Sequence, residues 1–238
     1  MSTSERTETA DQNSDVTDED ASHFFGPDHR ALQDRFGTRK LADRLESEDV
    51  LDALGPDEQA FVARAPFFFL TTIDRNRQPT VSYKGGNPGF VSVIGPREIA
   101  YPSYDGNGMY YSMGNLAENP KVGLLFIDFD KPNRLRIHGD ARVVLDDPLL
   151  TAHPGAQFII RIAIREAFDN CPRYIHRMKI TRLSPFAPKP DGSAPRPSWK
   201  RLDYIQDTMS EADRAATEAE GGTLDLDTYC GMLNRGET

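Results

Sequence analysis

Apolar side chains along this chain recur with two different periods, and the switch between them marks its organisation. Between residues 28 and 54, Leu32, Phe36, Leu41 and Leu45 recur near helical spacing and predict a helical stretch. Pro56 then opens a second, short helix, with Asp57 and Glu58 in the first turn where carboxylates meet free backbone N–H groups. Pro66 stops it after about Ala65. From Phe67 onward the helical period is lost. Phe67–Asp74 is a continuous apolar run, as in a buried strand, and Pro79–Lys84 is its return strand across the turn residues 74–78. A Gly-rich bend, Gly85-Gly86-Asn87-Pro88-Gly89, precedes two further strands at Phe90–Ile94 and Ile99–Ser103. Helical spacing returns briefly in Met109, Met113, Leu116 and Ala117, predicting a helix that starts near Asn107 and stops at Asn119-Pro120. Val122–Asp128 reads as another buried strand. Arg134–Val144 alternates, with Leu135, Ile137, Ala141 and Val143 on one face, and Gln157–Phe168 does the same through Phe158, Ile160, Ile162 and Ile164. Many short strands with short inserted helices predict a barrel or sandwich, with Phe90 and Tyr101 in its core.

The ends break this pattern. Of 238 residues only 38% are hydrophobic, and the deficit sits in residues 1–22 and 187–198. Residues 1–22 are acidic and expected to be disordered, because they hold too little apolar surface to offset chain entropy. Residues 23–183 are expected to form one domain with N-terminal helices. Residues 184–198 are Pro-rich and read as an extended linker within a 184–238 extension, with short helices over 199–208 and 210–220. The net charge of −9 argues against a nucleic-acid surface or an anionic membrane as partner. No apolar run reaches about 18 residues, so no membrane span is expected. The first twenty residues lack the apolar segment of a signal peptide, and two distant cysteines, Cys171 and Cys230, make no disulfide framework. A reducing cytoplasm is the expected location.

Familiar catalytic patterns are missing. There is no GxxxxGK[ST], no GxGxxG between strand and helix, and no HExxH. None of the five histidines stands at metal-ligand spacing, and no metal is expected. Cys171 reads as a small buried side chain sooner than a redox thiol, and His138 and His176 as solvated or structural. One feature points to an anion. Lys84 ends a strand just before two glycines, whose bare backbone admits a flat ligand, and a helix starting near Asn107 would offer free N–H groups. A solvated strand end followed by an ordinary turn accounts for the same residues, and spacing alone leaves both readings open.

Three blocks add to this reading: PFFFLTTIDRNRQPTVSYKGGNPGFVSV, YPSYDGNGMYYSMGNLAENPKVGLLFIDF, and RLRIHGDARVV followed by NCPRYIHR. Together they resemble the pyridoxamine 5'-phosphate oxidase-like family over about residues 60–180. The NLAENPKVGLLF helix-to-strand step and the R-x-R-x-x-G strand are the most specific pieces. The resemblance implies a six-stranded Greek-key split barrel, mainly β with flanking helices, that forms a homodimer with FMN at the subunit interface. It implies an FMN-dependent oxidoreductase acting on a small molecule. A non-catalytic flavin-binding module is the first alternative. A deazaflavin- or haem-binding relative is another, and a haem would need His138 or His176 as axial ligand. By resemblance, Ser82, Lys84 and Gly85 would lie along the flavin ring edge or ribityl phosphate. Asn107, Tyr111 and Ser112 would meet the phosphate, and Asn115 matches an amide position on the same helix. Arg134 would make a polar flavin contact, and Arg173 and Tyr174 would close the site from the partner subunit. The chain departs from the family pattern at two places. Tyr111 and Ser112 stand where two basic residues are common, and Ser198-Trp199-Lys200-Arg201-Leu202-Asp203 lacks the proline of the vitamin-binding C-terminal segment.

Overall fold

The computed structural model describes residues 22–237, so the expected disorder of residues 1–22 lies almost wholly outside the described residues. The chain divides into two compact units at Asp49–Val50. The first holds two helices, α1 (Pro27–Arg35) and α2 (Arg39–Asp49). Sequence periodicity predicted one helical stretch here. The break falls at Gly37, whose φ of 68° is left-handed and open to glycine at no steric cost. Leu32, Phe36, Leu41 and Leu45, which produced the helical period, are all exposed. Arg30 is buried instead and pairs with Asp43 at 2.6 Å.

The second unit opens with α3 (Pro56–Arg64) and then builds a seven-stranded antiparallel sheet. Its strands are β1 (Phe67–Ile73), β2 (Pro79–Gly85), β3 (Ser92–Gly95), β4 (Glu98–Tyr104), β5 (Lys121–Asp128), β6 (Asn133–Val144) and β7 (Ala156–Asp169), with α4 (Tyr111–Glu118) between β4 and β5. Their order in the sheet is β2-β1-β5-β6-β7-β4-β3. The split-barrel class holds, but the strand count was one short. The seven strands do not close: β2 and β3 are the two edges, and no ladder joins them among the described residues.

Inside the curl sit Phe68, Leu70, Leu124, Phe126, Leu135, Ile137, Ile160 and Ile162, with Phe90 and Tyr101 as expected. Two features bend the strands around this core. Gly139 faces the β7 backbone so closely that a Cβ would stand 2.5 Å from the Ala163 carbonyl, which gives the R-x-R-x-x-G strand its glycine. Just there His138 pairs with Glu166 while Gly139 pairs with Ile164, so Arg165 is an extra residue, a β-bulge. The strict alternation expected for Arg134–Val144 runs out at its end, where Val143 is 37% exposed. Phe90 and Val91 are buried, but β3 begins only at Ser92.

After β7 the chain carries little regular structure through residue 197, as the Pro-rich composition implies. Short 3₁₀ turns follow at Ser198–Arg201 and Asp203–Thr208, then α5 (Glu211–Ala219) and α6 (Leu226–Arg235), the last not foreseen. Arg196, largely buried, gathers Asp213, Glu220 and Thr217 into the anchor of this extension. No described helix is long and apolar enough to cross a membrane.

Candidate functional site

β2 is an inverted strand. By register, Lys84, Ser82 and Thr80 stand beside Phe68, Leu70 and Thr72, on the inner face of the sheet. Its apolar residues, Val81 and Tyr83, point the other way and are 67% and 62% exposed. A strand at the edge of a water-soluble sheet ordinarily places these sets the opposite way round. The inversion lines one end of the core with hydroxyls and a cation.

The N-terminal turn of α4 lies over this polar file. Ser112 Oγ is 3.1 Å from Ser82 Oγ. The buried Asn115 donates from Nδ2 to Thr72 Oγ1 at 3.0 Å, and Thr72 Oγ1 is 3.0 Å from Thr80 Oγ1. The Tyr111 hydroxyl donates to Asp74 at 3.0 Å, which raises the tyrosine's pKa. The Asp74 carboxyl is lowered, first by the Gln78 backbone N–H and also by Tyr111. Thus Ser82, Ser112 and Asn115, three positions implied by the family pattern, converge, and Tyr111 caps their outer end. Lys84 stands two residues further along the same face. It is half-buried and has no hydrogen-bond or ion-pair partner among the described residues. Burial lowers its pKa.

Other expected site residues lie elsewhere. Asn107 does not start the helix. α4 begins at Tyr111, because Gly108 and Tyr110 take positive φ of 75° and 48° and break the run first. Asn107 instead accepts the Met109 N–H at 3.1 Å within the preceding turn. Arg134 donates to the Cys171 carbonyl at 2.9 Å, and its Nε is buried without a partner. Arg173 and Tyr174 lie just beyond and are exposed, Tyr174 at 84%. No hydrogen bond or ion pair joins them to Lys84 or α4 among the described residues. Gly85 ends β2 beneath the Tyr83 ring, a Cβ there meeting Tyr83 Cε1 at 2.6 Å. Cys171 is exposed, against the expectation of burial. Of the two histidines, His138 pairs with Glu166 at 3.0 Å and His176 is exposed.

Sequence reasoning missed Thr72 and Thr80. The signal was present in PTVSYKG, where polar residues at 80, 82 and 84 keep strict alternation with apolar neighbours. Nothing in the string says which set faces inward.

These features define a class: an open antiparallel split barrel whose edge strand turns a polar file and an unpaired cation inward beside a short helix. The chain belongs to the pyridoxamine 5'-phosphate oxidase family, whose model matches residues 54–183. No curated protein matches the chain by sequence. Among solved structures, HupZ of Group A Streptococcus is 14% identical, covering 49% of this chain and 93% of that one at a TM-score of 0.41. A Lactobacillus delbrueckii protein named for pyridoxamine 5'-phosphate oxidase is 24% identical, covering 50% and 95%, also at 0.41. An FAD-binding protein of Mesorhizobium loti is 15% identical, covering 51% and 99% at 0.34.

Proposed function

We propose that this protein is an FMN-dependent oxidoreductase acting on a small molecule, with the cofactor phosphate held between Lys84 and the Ser82–Ser112 hydroxyl pair. The observation that carries this reading is Lys84, a half-buried cation without a counter-ion among the described residues. Burying a charge without a partner is costly, so an anion that pairs with it recovers that cost on binding. The two serine hydroxyls, 3.1 Å apart, add donors suited to phosphate oxygens. Both fit FMN, as does family membership.

When bound, the flavin supplies the hydride and electron chemistry. The chain's own residues bind and orient. Lys84 neutralises the phosphate, and Ser82 and Ser112 fix it. Asn115 holds Thr72 and Thr80 so that the β2 face stays open beside α4. No side-chain acid or base is required, which agrees with the lack of a catalytic constellation. Val81 and its exposed neighbours on the outer face support a homodimer that buries them, and light scattering at the monomer mass would remove that part. The missing proline in Ser198–Asp203 speaks for a substrate other than the vitamin phosphate.

The test is the absorption spectrum of the purified protein and its titration with FMN. A yellow protein, or one that quenches added FMN with micromolar affinity, supports the reading. Colourless protein that ignores excess FMN refutes it. Bound FMN without turnover of NADH, NADPH or common acceptors points to a storage or sensor module.

A further inference from the structure

We propose that Asn107 is a site of spontaneous self-modification: its carboxamide condenses with the Gly108 backbone nitrogen and opens to aspartate and isoaspartate, resetting the turn that leads into α4. The inference does not rest on the flavin reading. The step balances without a cofactor or an oxidant. The Gly108 nitrogen forms a bond to Asn107 Cγ and the carboxamide C–N bond breaks. The carboxamide nitrogen leaves as ammonia, carrying the Gly108 amide proton. Water then opens the cyclic imide, at one carbonyl to aspartate and at the other to isoaspartate.

Asn107-Gly108 is the chain's one Asn-Gly pair, and both residues are exposed. Gly108 takes a φ of 75°, and a Cβ there would meet nothing within 4 Å, so neither a side chain nor a neighbour screens its nitrogen. Its N–H has no hydrogen-bond partner among the described residues. The Met109 N–H donates to Asn107 Oδ1 at 3.1 Å. That bond closes a ring around the Gly108 peptide and so folds the carboxamide back toward the nitrogen that attacks it. It also puts a donor on the oxygen that gains negative charge as the nitrogen adds.

Among the described residues the fold shuts the competing positions. Asn87 and Asn119 precede prolines, whose nitrogens carry no proton to lose. Asn115 is buried in α4 and bound to Thr72, and Asn133 and Asn234 lie within β6 and α6. Arg136 holds the Asn170 carboxamide. The nitrogen after Asn76 is engaged, donating to the Asp74 carbonyl at 2.9 Å. At Asp105-Gly106 the carboxylate is paired with Lys200 at 2.6 Å, and an ionised carboxylate is a poor electrophile. At Asp191-Gly192 the glycine nitrogen donates to the Lys189 carbonyl at 2.8 Å.

The product matters because of where the loop leads. Asn107 stands between Asp105, fixed by Lys200, and Tyr110, whose hydroxyl donates to Gln157 at 3.0 Å. Isoaspartate lengthens the backbone between these ties by a carbon atom and takes the acceptor of the Met109 N–H into the main chain. The slack falls on Tyr110, whose left-handed φ of 48° sets the start of α4, the helix whose Ser112 meets Ser82.

The experiment is incubation of the full chain at mildly alkaline pH, followed by peptide mapping that separates asparagine, aspartate and isoaspartate, and by hydrogen exchange. Residue 107 is expected to convert about tenfold or more faster than Asn76 or Asn234, with release of ammonia. Gly108→Ala should slow conversion about tenfold, and Asn107→Gln should stop it there. Exchange over Met109–Ser112 should rise about fivefold or more in the isoaspartate fraction and stay unchanged in β5. Conversion at Asn107 no faster than at Asn76 overturns the proposal, as does a Gly108→Ala protein that converts at the wild-type rate. An isoaspartate fraction that exchanges like fresh protein over Met109–Ser112 overturns it too. Should Gly108→Ala fail to fold, wild type against Asn107→Gln decides, since the rise in exchange on incubation must be absent from that variant. None of these readouts uses FMN, so the two readings fail separately.

Discussion

Two strands of one sheet each carry a cation out of full contact with water, and they treat it in opposite ways. On β7, Arg161 donates to Asp147 at 2.5 and 3.1 Å and to Glu98 at 3.1 Å, and the Asp147 side chain is only 1% exposed. Every part of that guanidinium is answered from within the chain. On β2, Lys84 has no answer among the described residues. The paired cation holds the β4–β7 wall to the loop after β6 and is spent on stability. The unpaired one costs stability and keeps its capacity for an anion in reserve. Burial alone does not mark a site; burial without a partner does.

Breaking each cation tests the contrast. The largest effect is expected at the paired one. Asp147→Ala leaves Arg161 short of its main partner and should lower unfolding free energy by about 3–5 kcal/mol, read from urea denaturation. Lys84→Met should be neutral or stabilising by the same measurement, because it removes an unanswered charge. A comparable loss at Lys84 would mean that it is structural after all. Next in size is the ligand effect. Lys84→Ala should weaken FMN by about 1.5–3 kcal/mol, roughly 10- to 150-fold, and riboflavin far less, since riboflavin has no phosphate. Lys84→Arg should retain much of the binding. Equal, small losses for both ligands would move the phosphate assignment to Arg134 or Arg173. Ser112→Ala should cost FMN binding a further, smaller amount, about 0.5–1.5 kcal/mol.

Acid and alkali separate the two cations again. The Arg161 hydrogen bond holds the Asp147 carboxyl below its ordinary value. That contribution is complete above the unfolded value of about 3.9 and is lost as pH falls through the folded one. Asp147→Asn should therefore flatten the acid limb of the stability curve. Lys84 is held below the ordinary lysine value by burial, so in that window the unfolded chain binds more protons. Stability of the cofactor-free protein should rise with pH up to about 10.4, and Lys84→Met should abolish the rise. FMN affinity should move the other way, falling as Lys84 loses its proton.

The strands were legible from sequence where one period held throughout: Phe67–Ile73, Lys121–Asp128 and most of Asn133–Val144 fall where the apolar pattern puts them. Errors came where backbone conformation overrode pattern. The α1–α2 break at Gly37 and the late start of α4 after Tyr110 both depend on positive φ, which leaves no trace in hydrophobic spacing. Within the candidate site, local chemistry pointed to Lys84, while the family pattern named Ser82, Ser112 and Asn115. Their meeting depends on α4 folding back over β1, a contact between residues about 30 to 43 positions apart. The pairing of Arg161 with Asp147 was invisible for the same reason.

The extra residue in β7 has a consequence for how the wall keeps its two sides distinct. A strand counts in twos, and one added residue resets the count. Before Arg165 the even-numbered Phe158, Ile160, Ile162 and Ile164 point inward; after it the odd-numbered Ala167 does. β4 lies along the first stretch only; further along the same edge, opposite β6, Ala167 exchanges two hydrogen bonds of 2.8 Å with Leu51. β7 is in effect two short strands spliced out of phase, each matched to a different neighbour. Deleting Arg165 would restore a single count, in which Ile164, Glu166 and Ala167 alternate regularly against Gly139, His138 and Ile137, so both inward sets would stay inside and only the local bend of β7 would be lost. The residue matters for its place in the count, and its side chain adds an ion pair with Asp140 on β6.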